Sequence, residues 1–151
     1  MTDAERSFWG WGYVDAHPDD DEIRALGDSL EARFDFPALS LDPPPSIDAV
    51  SAPPPDLSVP ARLAGIATAD EEARIRHTYG DAYRDKVRAL RGDFAPAPDV
   101  VARPTSEDDI AALLDWASAE RAAVVPYGGG TSVVGGVEGD VPGTFAGVVS
   151  L

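Results

Sequence analysis

Directly after a short apolar run, Ala123-Val124-Val125, the sequence reads Pro126-Tyr127-Gly128-Gly129-Gly130-Thr131-Ser132-Val133-Val134-Gly135-Gly136, and residues 128–147 hold 8 glycines. Consecutive glycines reach positive backbone torsions at no Cβ penalty and let N–H groups converge with no side chain in the way. A converging set of this kind is an anion nest, and Thr131 and Ser132 add hydroxyl donors to it. The matching chemistry is the binding of a phosphate or pyrophosphate. A plain hairpin connection uses the same residues; the strand before the loop and the two hydroxyls after Gly130 favour the phosphate. Three common nucleotide loops are excluded by their residues. A P-loop needs G-x-x-x-x-G-K-[ST], and no lysine follows Lys86. A dinucleotide fingerprint, G-x-G-x-x-G opening a helix, fails because Val133 stands at the third glycine and no helical pattern follows. A kinase Gly-rich loop requires its own downstream lysine and catalytic loop.

The elements that must position this loop are read upstream of it. Val100-Val101-Ala102-Arg103 is a short β-branched run stopped by Pro104. Thr105 or Ser106 then caps a helix whose first turn carries Glu107, Asp108 and Asp109, with Ile110, Leu113, Leu114 and Ala117 at i, i+3, i+4 and i+7. With residues 123–125 as the next strand this is a βαβ unit, for which a parallel pair with a right-handed crossover is expected. Residues 147–151 read as a third strand, expected to stand as an exposed pairing edge prone to association.

Further upstream, residues 68–91 read as a helix in two parts broken at Gly80, the first capped by Thr68 or Asp70, the second with an apolar edge of Tyr83, Val87 and Leu90. Within residues 74–91, Arg74, Arg76, Arg84, Lys86, Arg88 and Arg91 face only Asp81 and Asp85. Such an island either meets an anion or, as the favoured reading, pairs with the chain's own acids. His77 has no carboxylate fixed near it by spacing, and a structural role is its default. Residues 37–60 hold 8 of the 14 prolines, the composition of an extended traversing linker. Asp19-Asp20-Asp21-Glu22 opens a helix over residues 20–33 with Ile23, Leu26, Leu30 and Phe34 near helical spacing, ended before Pro37. An aromatic cluster, residues 8–13, precedes it.

The whole chain has 151 residues, 27 acids against 12 bases, a formal charge of -15 and no cysteine. That charge opposes nucleic-acid binding. The lack of cysteine removes disulfides, thiolate metal sites and cysteine nucleophiles, and two histidines leave little for a metal. No run approaches a membrane span, so a soluble, cytoplasmic location is expected. The acidity is concentrated in residues 1–56, with 13 acids and 3 bases.

Together, RGDFAPAPDVVARPTSEDDI at residues 91–110 and VVPYGGGTSVVGGVEG at residues 124–139 resemble the FAD-binding domain of the vanillyl-alcohol oxidase and p-cresol methylhydroxylase flavoprotein family. WGWGYVD at residues 9–15 and RHTYGDAYRD at residues 76–85 extend the likeness toward its alkyldihydroxyacetonephosphate synthase branch. The resemblance implies an α+β (α/β) fold in four pieces: an acidic segment with one helix (1–36), a Pro-rich linker (37–66), a helical basic segment (67–95) and the first part of a p-cresol methylhydroxylase-type FAD domain (96–151). It implies FAD with its pyrophosphate on Pro126, Tyr127, Gly128, Gly129, Gly130, Thr131 and Ser132. Because Thr131 stands where some members carry an FAD-linking histidine, the FAD is expected to be non-covalent. Catalytic residues are expected beyond Leu151, which marks the chain as an N-terminal fragment. The activity implied is exchange of acyl for alkyl on dihydroxyacetone phosphate. The alternatives are an FAD-linked oxidase or dehydrogenase of a 2-hydroxy acid, and a fragment inactive by itself. The partners expected are FAD, a small-molecule or lipid-like substrate of the full-length protein and a second copy in a homodimer, with no nucleic acid.

Overall fold

The structure, a computed structural model, describes residues 5–34 and 42–151. Four short strands, β1 (Ala67–Thr68), β2 (Val100–Ala102), β3 (Ala123–Val125) and β4 (Val148–Ser150), form one sheet in the order β1-β2-β4-β3. β4 runs parallel to both β2 and β3, with Val149 opposite Val100 on one side and Val124 on the other. β1 closes the far edge antiparallel to β2. Two expectations are corrected here. The strands of the βαβ unit are parallel but are not neighbours, because the crossover carries the chain across two strand positions and leaves a slot that β4 fills. For the same reason β4 is no exposed edge: Val149 and Ser150 are buried between its neighbours, and β1 and β3 are the outer strands.

The crossover helix α4 (Glu107–Glu120) is capped by Ser106, whose side chain accepts from the Asp109 N–H. Asp109 reaches back to accept from the Thr105 N–H and hydroxyl at 2.9 Å each, so both orphan ends of the first turn are satisfied locally. Arg121, at φ 56°, ends the helix in the left-handed conformation. Leu113 and Trp116 are buried against Val100, Ala102 and Val149, with Leu57 and Leu63 closing the cluster, and Ala117 is buried beside them in the helix. Ile110 and Leu114, expected on the same stripe, are exposed. Three-residue strands rise only about 10 Å, while fourteen helical residues span about 21 Å, so the helix overhangs the sheet and only its middle is covered.

A second cluster, Ile75, Tyr79, Ala89 and Phe94, gathers Phe8 and Trp9 from the N-terminal aromatic segment. It is built by α2 (Glu71–Arg76), capped by Asp70, and α3 (Tyr83–Leu90), with Gly80 in the break between them. The expected apolar edge of α3 is overturned: Tyr83 is 75% exposed and Leu90 is also exposed, while Asp85, Lys86 and Ala89 face inward. Ala89 is the residue small enough to seat the helix on Phe94. Of the charges beside it, Lys86 pairs with Asp81 at 2.8 Å, while the buried Asp85 carboxylate accepts no hydrogen bond and has the Arg84 Nε at 3.4 Å. Four more members of the basic island are likewise used internally. Arg76 pairs with Glu5 and Glu72, Arg84 and Arg88 share Glu138, and buried Arg74 donates to the carbonyls of Pro53 and Pro98.

α1 (Asp20–Phe34) begins at the acidic turn, where Asp19 accepts from the N–H groups of Asp21 and Glu22. Its Leu26 and Phe34 are exposed. The expected stop before Pro37 and the first residues of the Pro-rich stretch lie outside the described residues. From residue 42 that stretch runs in extended backbone and short turns and is fastened to the fold rather than solvated throughout: Leu57 is buried, and Asp56 donates its N–H to Asp99. Asp99 also accepts the Val148 N–H at 2.6 Å, so one carboxylate ties the Pro-rich stretch to the start of β4. Replacing Asp99 by Asn removes one of two strong acceptors. It is expected to lower the unfolding free energy by about 1–3 kcal/mol in urea titration, whereas an unchanged midpoint would show that β4 is fastened by other contacts.

Candidate functional site

The Gly-rich loop leaves the C-terminal end of β3 and is folded back onto the sheet at once. The Tyr127 N–H donates to the Leu151 carbonyl at 2.6 Å, the Leu151 N–H to the Val125 carbonyl at 2.9 Å, and the Gly130 N–H to the Tyr127 carbonyl at 3.0 Å. Gly128 and Gly130 take φ of 58° and 65°, where an L side chain is strained. A Cβ on Gly128 would meet open space; one on Gly130 would collide with the Tyr127 ring. Tyr127 points inward beneath the loop. Its hydroxyl lies 2.8 Å from the carbonyl of Arg76, the last residue of α2, and 3.0 Å from that of Tyr79, three residues beyond, and donates its single proton between them. Burial, with Asp81 adding to it and Arg6 opposing, pushes the Tyr127 phenol up to about 12, so it remains a donor.

Under the loop the Tyr127 ring stacks on His77, centroids 4.2 Å apart at 20°. His77 Nδ1 is 3.1 Å from Ser150 Oγ in β4, and Nε2 is 3.4 Å from an Arg103 guanidinium nitrogen just past β2. A guanidinium only donates, so Nε2 is the acceptor and the ring proton sits on Nδ1 toward the serine. Burial first, and the Arg103 charge second, lower the His77 pKa to about 4; the ring is a neutral imidazole at ordinary pH. The default structural role is therefore not the whole of its geometry, because it bridges the ends of β2, β3 and β4.

These groups wall an open cleft of about 670 Å³. Tyr127, Gly128, Gly129 and Gly130 form one side, and residues of the N-terminal segment and of α2 and α3 the other. Of the sequence-derived candidates, Pro126, Thr131 and Ser132 do not line it. Ser132 instead accepts the Asp81 N–H at its carbonyl (2.7 Å) and the Gly136 N–H at its hydroxyl (3.2 Å). The Gly80 backbone lies so close to this carbonyl that a Cβ there would collide with it. Among the described residues, the N–H groups of Gly129, Thr131 and Ser132 make no intramolecular hydrogen bond. Open space over Gly128, unspent N–H donors and the absence of side chains fit a pyrophosphate, and Thr131 offers no ring nitrogen for a covalent link. Arg6, His77, Arg103 and Ser150 were not singled out from the sequence as site residues. For Arg103 and Ser150 a signal existed, since each ends a strand on the edge where parallel sheets hold ligands; for His77 and Arg6 none did.

Two outcomes follow from this geometry. Gly128→Ala should cost about 1–2 kcal/mol from backbone strain alone, and Gly130→Ala more, because the Tyr127 ring must also move; equal losses by chemical denaturation would show that the ring does not constrain the loop. With its pKa depressed in the fold, His77 takes up a proton more readily when unfolded, so it penalises folding increasingly as pH falls from about 6.5 to about 4. The stability advantage of wild type over His77→Gln should therefore shrink across that window, and a constant gap would contradict the buried neutral ring.

A family model described as an FAD binding domain matches residues 98–149. The chain is 44% identical to an alkyldihydroxyacetonephosphate synthase of Trypanosoma brucei brucei over 69 residues, 46% of this chain and 11% of that protein. It is 36% identical to one of Dictyostelium discoideum over 69 residues, again 46% and 11%. The matched stretch thus covers about a tenth of the length of these relatives. Two solved structures of alkyldihydroxyacetonephosphate synthase, in different crystal forms, match its fold with a TM-score of 0.73 over 96% of this chain and 32% of theirs, at 24% identity. Residues 98–149 therefore carry FAD binding domain sequence, within a chain that resembles alkyldihydroxyacetonephosphate synthase.

Proposed function

We propose that this chain is the FAD-binding portion of a flavoenzyme that exchanges acyl for alkyl on dihydroxyacetone phosphate, with FAD held non-covalently. The observation that supports it most directly is the Gly-rich loop itself. It lies within the stretch that matches the FAD binding domain, at the C-terminal end of a parallel strand, with N–H donors unspent and a cleft beside it. The backbone of residues 128–132 holds the pyrophosphate, Tyr127 fixes the loop from below, and the glycines keep side chains out of the approach. FAD, when bound, supplies the flavin at which such an exchange takes place. Residues outside this chain complete the flavin and substrate sites.

Titrating the purified chain with FAD should quench flavin fluorescence to saturation, and acid denaturation of the complex should release all the flavin into solution. Flavin that stays with the precipitated protein would overturn the non-covalent reading, and no quenching at any concentration would overturn FAD binding by this portion. For the activity, a protein containing this chain joined to the remaining length of its relatives should turn over acyl-dihydroxyacetone phosphate with a long-chain alcohol. Oxidation of a 2-hydroxy acid with an artificial acceptor, and no such exchange, would overturn it.

A further inference from the structure

The cleft beside the Gly-rich loop is lined by four cations, Arg6, Arg76, Lys86 and Arg103, and three carboxylates, Glu5, Glu72 and Asp81. Every carboxylate is engaged. Glu5 and Glu72 pair with Arg76, and Asp81 pairs with Lys86 at 2.8 Å and Arg6 at 3.2 Å. Arg6 is further committed to the Gly129 carbonyl. Among the described residues, Arg103 alone of these cations has no carboxylate within ion-pair distance; its side chain meets the His77 ring instead. A neutral ring in that place orients a guanidinium without cancelling its charge, which a carboxylate would do.

The position has the same meaning. Arg103 follows β2, Ser150 ends β4 and the Gly-rich loop follows β3, so all three stand on the C-terminal edge of the parallel strands. The loop contributes only dipoles and, unlike a P-loop, no lysine. A pyrophosphate brings two negative charges into this cleft. The backbone of Arg103 is fixed independently of its side chain, its N–H donating to the Ile66 carbonyl at 2.7 Å.

We propose that Arg103 is the phosphate-binding cation of this cleft, and that His77, locked between Ser150 Oγ and the Tyr127 ring, is the positioning residue that aims it. The proposal rests on the reading of the Gly-rich loop as a pyrophosphate site and adds the charged partner that the loop lacks. The phosphate is that of a dinucleotide or that of a phosphorylated substrate, and both present the same oxyanion to the guanidinium.

Isothermal titration of the full chain with inorganic pyrophosphate, FAD and glycerol 3-phosphate tests it. Arg103→Gln should weaken pyrophosphate and FAD about 10- to 100-fold, as loss of a charge-assisted hydrogen bond does, and should flatten the salt dependence of binding. The exposed side chain makes the variant's melting temperature a control that should not move. His77→Phe keeps a ring on Tyr127 but loses the acceptor, so it should weaken binding as well. The His77→Phe/Arg103→Gln double variant should be no weaker than Arg103→Gln alone, and His77→Gln should recover part of the loss. A purely structural role for His77 would give additive losses instead. Equal affinities of wild type and Arg103→Gln overturn the proposal while leaving FAD binding by the loop intact. Pyrophosphate binding that depends on Arg103 without FAD binding supports the proposal and overturns the FAD reading. Tighter binding of glycerol 3-phosphate than of pyrophosphate, again lost in Arg103→Gln, supports the cation and assigns the phosphate to a substrate. A wild-type chain that binds none of the three overturns both.

Discussion

Beneath the Gly-rich loop a single phenol does the work that side chains within the loop cannot. Glycines give the loop its path and its openness, but they give it no means of holding that path, since each lacks the atoms to pack. Tyr127 supplies the hold from one residue earlier, its hydroxyl shared between the carbonyl that ends α2 and that of Tyr79 just after it, and its ring lying flat on His77. The loop, the end of α2 and the ends of β2 and β4 are thereby set relative to one another. Gly130 passes over the ring at a distance that only a hydrogen at its Cα allows, and Gly80 does the same against the Ser132 carbonyl. Close backbone approach, not flexibility, is what these two glycines contribute.

Charge is arranged on two scales. The excess of acids sits mostly in the first third of the sequence, while the six bases of residues 74–91 are largely consumed by internal partners, among them nearby Asp93 and Glu138 from a distant part of the chain. Pairs on the surface contribute little individually. Their effect here is geometric: they dock α2 and α3 against the loop region with matched charges, so that the local balance of the cleft is decided by one arginine instead of by the overall negative charge.

Local signals in the sequence were legible where chemistry and geometry coincide within a few residues. The Ser106 cap with its acidic first turn, the cap at Asp70, the strands at residues 100–102 and 123–125, and the Gly-rich loop are all of this kind. Outcomes set by distant partners were not. β1 has two residues and no strand composition of its own; it exists because Ala67 and Thr68 meet Ala102 and Val101. The inward face of α3 carries Asp85 and Lys86, which no hydrophobic pattern would select; Lys86 is neutralised by Asp81, outside the helix, and Asp85 lies beside Arg84 on it. Ile110 fits its helical stripe and is still exposed, while Trp116, off that list, is buried, since how far the sheet reaches under α4 is fixed by strand length elsewhere. The members of the cleft other than the loop come from the N-terminal segment, α2, the stretch from α2 into α3, and the residue after β2, which only the fold brings together.

The strand order bears on how the chain is made. As it emerges during synthesis, β2, α4 and β3 are complete while the slot between the two strands is still vacant, and neither strand can hydrogen-bond the other across two positions. Only the two-residue pairing with β1 is within reach at that stage. Leu113 and Trp116 then face a surface that does not yet exist, and they remain open to water or to a chaperone until β4, nearly fifty residues after β2, arrives. Insertion of β4 fills the slot, covers the helix and brings Ser150 up to His77 in the same event, so the cleft acquires its shape only once β4 is in place.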